Sequence, residues 1–188
     1  MDLIIADYND AFCEEAGKEF SGLNAIVHRG DYACSLPADV VVTPANSFGF
    51  MDGGFDLTVV RDFGAKVQET AQRVVQEQFS GQQPVGTSFL INVKHEDVKA
   101  IAHTPTMRVP SDVSKTENVY WAMWAALNAA KSGGHSAVLT PGLGCGYGKV
   151  PPALCAKLMA TAFRHFSDGF DHTWESAVRI NEEIRSAF

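Results

Sequence analysis

Apolar and polar positions along the 188-residue chain switch repeatedly between strand-like runs and helical spacing. Leu3 to Ala6 and Ala25 to His28 are short apolar runs. Between them, within Tyr8 to Phe20, the residues Ala11, Phe12, Cys13, Ala16 and Phe20 recur at helical intervals, so the chain opens on a β-α-β unit. Val40-Val41-Val42 is β-branched with no polar interruption, as in a strand covered on both faces, and Ser88 to Val93 and Ala100 to His103 predict further strands. Phe55 to Phe79 carries one long helical pattern. Ser114-Lys115-Thr116-Glu117 has the form of a capping box ahead of Val119, Tyr120, Met123, Trp124 and Leu127, and Gly133-Gly134 provides the stop. Ser136 to Thr140 reads as a buried strand, Pro152 to Phe166 as a helix with proline in its first turn, and Thr173 to Ala187 as a last helix.

This alternation predicts an α/β sandwich with a mixed, mainly parallel sheet, and the length fits one domain over residues 1–188. A 46% hydrophobic, 20% charged composition supplies an ordinary globular core. No apolar run reaches the roughly 18 residues of a membrane span, and the first residues lack the basic and apolar regions of a signal peptide, so a cytoplasmic location and no membrane partner are expected. A net charge of −7 argues against general binding of duplex nucleic acid. Cys13, Cys34, Cys145 and Cys155 are widely spaced, with no C-x-x-C pair, which fits reduced thiols. The histidines show no metal-ligand spacing, so neither a structural metal nor a cofactor is expected. Trp121, Trp124 and Trp174 fall on helical positions and are expected in the core or at an interface.

Two loops following predicted strands carry the candidate chemistry. In Pro141 to Pro151 glycine stands at every second position from Gly142 to Gly148, and the segment runs into a helix. Backbone amides there are unobstructed and the helix start adds positive potential, so a phosphate is the natural guest. Neither G-x-G-x-x-G nor the P-loop pattern fits: Tyr147 breaks the first, and Leu143 and Val150 break the second. The other loop, Thr43 to Asp56, combines small residues with Asn46, a hydroxyl-binding amide, and Asp56, a carboxylate able to accept a proton. Taken locally, Asn46 is equally a loop-former and Asp56 equally an N-cap.

From about Ala25 to Phe166 the chain resembles the macro domain, an ADP-ribose-binding α/β/α module. Gly30-Asp31-Tyr32 is similar to that family's Gly-Asp-Ile, and Asp39 to Ser47 (DVVVTPANS) to its D-A-I-V-N-A-A-N-S. Ala100 to Thr104 is similar to its V-I-H-T strand, and Pro141 to Gly146 with Pro151 to its P-A-L-G-T-G…P loop. The resemblance implies a three-layer α/β/α sandwich, with residues 1–24 as an N-terminal β-α extension. It implies ADP-ribose or an ADP-ribosylated molecule as ligand. Asp31 accepts from the adenine amino group, and Tyr32 offers a backbone amide. Ala45, Gly53 and Gly54 face the distal ribose, while Gly142, Leu143, Gly144, Cys145, Gly146 and Tyr147 wrap the diphosphate. Asn46 and Asp56 keep the ten-residue spacing of hydrolytic members.

On that basis the chain is expected to hydrolyse an ADP-ribosyl ester, O-acetyl-ADP-ribose or ADP-ribose 1″-phosphate, with Asn46 positioning the distal ribose and Asp56 activating water. The alternative is a reader of ADP-ribose without turnover. The first loop departs from the hydrolytic pattern, since Met51 and Asp52 occupy places usually held by glycine and bring a carboxylate near the expected diphosphate. Phe48, Phe50 and Phe55 supply an apolar wall. A third arrangement pairs Cys145 as nucleophile with His103 as base.

Overall fold

The computed structural model describes residues 1–31 and 37–188. The elements run β1 (Asp2–Asp7), α1 (Asp10–Glu19), β2 (Ala25–Arg29), β3 (Val40–Asn46), α2 (Gly54–Phe63) and α3 (Lys66–Phe79). They continue with β4 (Phe89–Asn92), β5 (Ala100–Met107), α4 (Asn118–Ser132), β6 (Ala137–Thr140), α5 (Pro152–Asp168) and α6 (Trp174–Arg185). The strands form one sheet in the order β2-β1-β6-β3-β5-β4, parallel throughout except where β4 runs antiparallel to β5.

Successive strand side chains point to opposite faces, and here both faces are apolar. Leu3, Ile5, Val40, Val42 and Val138 meet buried residues of α1, α4 and α5 on one side. Ile4, Ala6, Val41, Ile101 and Leu139 meet Val59, Val67 and Ala71 of α2 and α3 on the other. The result is a three-layer α/β/α sandwich in which β1 lies inside the sheet between β2 and β6. Asn9 caps α1 by accepting from the Phe12 amide at 3.1 Å, and Thr173 does the same for α6 through Ser176 at 3.2 Å. At the amino end of the sheet Asp39 accepts from the Ser136 and Ala137 amides at 2.8 and 3.2 Å, tying β3 to β6.

Two expected helical features resolve differently. The stretch Phe55 to Phe79 is two helices, broken at Gly64, whose φ of 90° is a conformation that ends a helix and that side chains resist. The break turns the chain so that Val59 and Val67 enter the same core. The capping box does not form: the Ser114 amide and hydroxyl both donate to Asp112 Oδ1, and α4 begins only at Asn118. Glu117 instead accepts from Trp121 Nε1 at 3.1 Å. Of the tryptophans, Trp124 packs on the core, whereas Trp121 is exposed and Trp174 is 82% exposed. Among the described residues no helix is long and apolar enough to cross a membrane.

Candidate functional site

The carboxyl ends of β1, β3, β5 and β6 open into a cavity of about 800 Å³, where ligands of open α/β sheets sit. Both glycine loops reach it. Of the residues singled out from sequence, Asp31, Ala45, Asn46, Gly53, Gly54, Asp56, Gly142, Gly144, Cys145, Gly146 and Tyr147 line it. Leu143 does not: its side chain is fully buried in the core between the sheet and α5. Tyr32 lies outside the described residues.

Asn46 closes β3, where the pairing with β5 shifts register between Ala45 and Asn46. Its side chain shapes the loop that follows. Nδ2 donates to the Phe50 carbonyl at 2.6 Å, and Oδ1 accepts from the Phe48 and Phe50 amides at 3.0 and 3.4 Å. Beyond it, Met51 is buried and donates its amide to Gln68 Oε1 at 2.7 Å. Asp52 is exposed and forms no ion pair among the described residues. Phe50 and Phe55 line the cavity, and Phe48 lies instead under the Arg108 guanidinium, 5.4 Å from its ring centre.

Asp56 falls in the first turn of α2 and is buried. It makes no capping bond to its own helix. The hydroxyl of Thr43, on β3, donates to its Oδ1. Burial pushes the carboxyl up to about 7, against the pull of the Thr43 hydrogen bond, and the charge of Asp52 adds to the rise. Near neutrality this group is therefore divided between acid and base, the condition that suits a proton-transfer role.

The second loop is held open by its own glycines. A Cβ at Gly148 would stand 2.5 Å from the Gly144 carbonyl oxygen, and Gly144 itself has a φ of 78°. Gly148 accepts from the Val113 amide at 2.9 Å and Gly144 from the Val150 amide at 3.1 Å, fixing the turn into α5. At Gly146 a Cβ would meet nothing within 4 Å, so there the backbone faces open space. Tyr147, 67% exposed, reaches across to the first loop: a Cβ at either Gly53 or Gly54 would lie 3.8 Å from its side chain.

Sequence reasoning overlooked Asp7. It ends β1 in the cavity and its Oδ2 accepts from the Gly142 amide at 2.9 Å, so one loop amide is already occupied by a carboxylate. The available signal was its place: a polar residue at the carboxyl end of a parallel strand. The Cys145–His103 pair does not assemble. His103 is buried and lies outside the cavity wall; its Nδ1 bonds to Gln83 Oε1 at 2.7 Å and its Nε2 has no hydrogen-bond partner among the described residues. Burial also pulls this imidazole down to about 4. Cys145 lies next to Cys155, whose buried thiol is pushed up by burial. Among the described residues no three His, Cys, Asp or Glu side chains gather as a metal-ligand set.

An α/β/α sandwich with a glycine-walled cavity at its strand ends is the architecture of a nucleotide-type binding module. The macro domain profile matches residues 42–159, and the chain belongs to the macro domain family. An uncharacterized protein of Aquifex aeolicus (strain VF5) is 35% identical over 131 residues, covering 70% of this chain and 76% of that protein. The O-acetyl-ADP-ribose deacetylase of Escherichia fergusonii is 26% identical over 142 residues, 74% of this chain and 78% of that enzyme. The fold matches a structure of the Oceanobacillus iheyensis macrodomain with ADP at a TM-score of 0.62 and 17% identity, over 81% of this chain and 85% of that one.

Proposed function

We propose that the cavity binds ADP-ribose and that the chain hydrolyses an acyl or ADP-ribosyl ester at the distal ribose. The observation that carries this reading is the placement of Asp56, a carboxyl buried in the cavity wall and bonded by the Thr43 hydroxyl, where burial raises its affinity for a proton. In its ionised form it takes a proton from a water as that water attacks the ester carbon. The carbon–oxygen bond to the leaving group breaks, and the same carboxyl returns the proton to the departing oxygen. Asn46 acts as a positioning residue. One Nδ2 hydrogen holds Phe50 in place, and the other is left for a ribose hydroxyl. The backbone around Gly146, which lines the cavity and where a Cβ would meet nothing within 4 Å, would receive the diphosphate through its amides without a basic side chain. Asp31, at the end of β2, would take the adenine amino group. The deacetylase name of the Escherichia fergusonii relative supports the ester as substrate.

Turnover of O-acetyl-ADP-ribose and of a glutamate-linked ADP-ribosyl peptide tests this. Asp56→Ala should lower kcat by at least about a hundredfold with a small change in Kd for ADP-ribose, and activity should rise with pH through about 7. A second reading, binding without turnover, is favoured by Asp52, a carboxylate in the cavity wall where the hydrolytic pattern usually has glycine. It predicts ADP-ribose binding with no product from either ester.

A further inference from the structure

We propose that the mouth of this cavity selects a polypeptide whose ADP-ribosylated residue is flanked by arginine or lysine, in preference to an acidic peptide or a nucleic acid. This rests on the reading of the cavity as an ADP-ribose site and adds what the attached macromolecule must look like. Among the described residues the wall carries four carboxyl side chains, Asp7, Asp31, Asp52 and Asp56, and no lysine, arginine or histidine. Of the cations nearest the wall in sequence, Arg29 pairs with Asp10 at 3.0 Å, Arg108 lies over Phe48 and donates to Gln82 Oε1 at 3.1 Å, and Lys149 is exposed and acts on Asp112. Loop amides can meet the charge of one diphosphate. They have nothing left for a second polyanion, and the net charge of −7 repels one at longer range.

The rim has the chemistry that recognises a cation. Asp52 is exposed and without an ion pair among the described residues. Phe50, two residues before it, is 55% exposed, and Tyr147, which leans over the adjoining Gly53 and Gly54, is 67% exposed. A carboxylate beside two exposed aromatic rings attracts a guanidinium or ammonium through both its charge and the ring faces. The same loop already holds one such contact within the molecule, between Arg108 and Phe48. If the distal ribose lies at Gly53 and Gly54, which line the cavity, a chain attached to it leaves past this rim.

The test uses the full chain and three probes that carry the same ADP-ribosyl group: a serine-linked peptide with arginine flanks, the same peptide with aspartate flanks, and a single-stranded oligonucleotide. Free ADP-ribose is titrated alongside by calorimetry. At about 50 mM salt the arginine-flanked peptide should bind about tenfold tighter than the aspartate-flanked one, the ratio shrinking severalfold at about 500 mM. Asp52→Asn should reduce the ratio, and Asp52→Lys should invert it. Equal affinity for the two peptides, or an oligonucleotide that binds tighter than the arginine-flanked peptide, overturns the proposal while free ADP-ribose still binds. Absence of binding by free ADP-ribose removes the underlying reading as well.

Discussion

The Thr43 hydroxyl on β3 donates to the Asp56 carboxylate in the first turn of α2, joining the strand that builds the cavity floor to the helix that closes its side. Among the described residues this buried carboxyl has one hydrogen-bond donor and no ion pair, so it is costly to ionise. Its folded pKa of about 7 lies above the ordinary 3.8, so the folded chain holds this proton more tightly than the unfolded one. Stability from this group is full below the unfolded pKa and falls as pH rises toward 7, by about 4 kcal/mol in all. Asp56→Asn keeps an acceptor for Thr43 and removes the titration. Its melting temperature should exceed that of the parent by a margin that widens from pH 5 to pH 8, reaching roughly 10 °C. A constant margin across that range contradicts the raised pKa.

Glycines of the second loop should separate into two classes. Gly148→Ala forces a Cβ against the Gly144 carbonyl and Val113, and should cost about 2 kcal/mol of stability as well as ligand affinity. Gly146→Ala meets no protein atom within 4 Å. It should leave the melting temperature unchanged and, if the diphosphate approaches the backbone here as proposed, weaken ADP-ribose binding about tenfold. Thermal melts and titration calorimetry on the two variants separate a packing role from a binding one.

The alternation of strands and helices was legible in the sequence because both sheet faces are buried. A run such as Val40-Val41-Val42 serves two cores at once and carries no polar break. The break at Gly64 was hidden, since helical spacing of apolar residues continues through it into a second helix that fills the same core. The capping box failed for a local reason: Asp112 captures the Ser114 amide and hydroxyl before they can serve α4. At the site, the two glycine loops and Asp56 stood out by composition and spacing, whereas Asp7 and Thr43 are ordinary strand-end residues until the sheet brings them to Gly142 and Asp56. Leu143 reads as a loop residue in sequence, and only the packing of the loop against α5 sends it inward.

Asp7 puts a negative charge on an amide of the loop proposed to take the diphosphate. Asp7→Asn keeps an acceptor for the Gly142 amide and removes the charge. ADP-ribose should bind this variant more tightly, by about three- to tenfold at low ionic strength, with the gain shrinking as salt is added. Unchanged or weaker binding at low salt would place the diphosphate away from Gly142.

Titration calorimetry of the chain with ADP-ribose, beside AMP and NAD, tests the central claim most directly. Selective binding of ADP-ribose at micromolar Kd, lost in the Gly148→Ala variant, is the predicted result. No heat with ADP-ribose, or affinity no greater than for AMP, would contradict it.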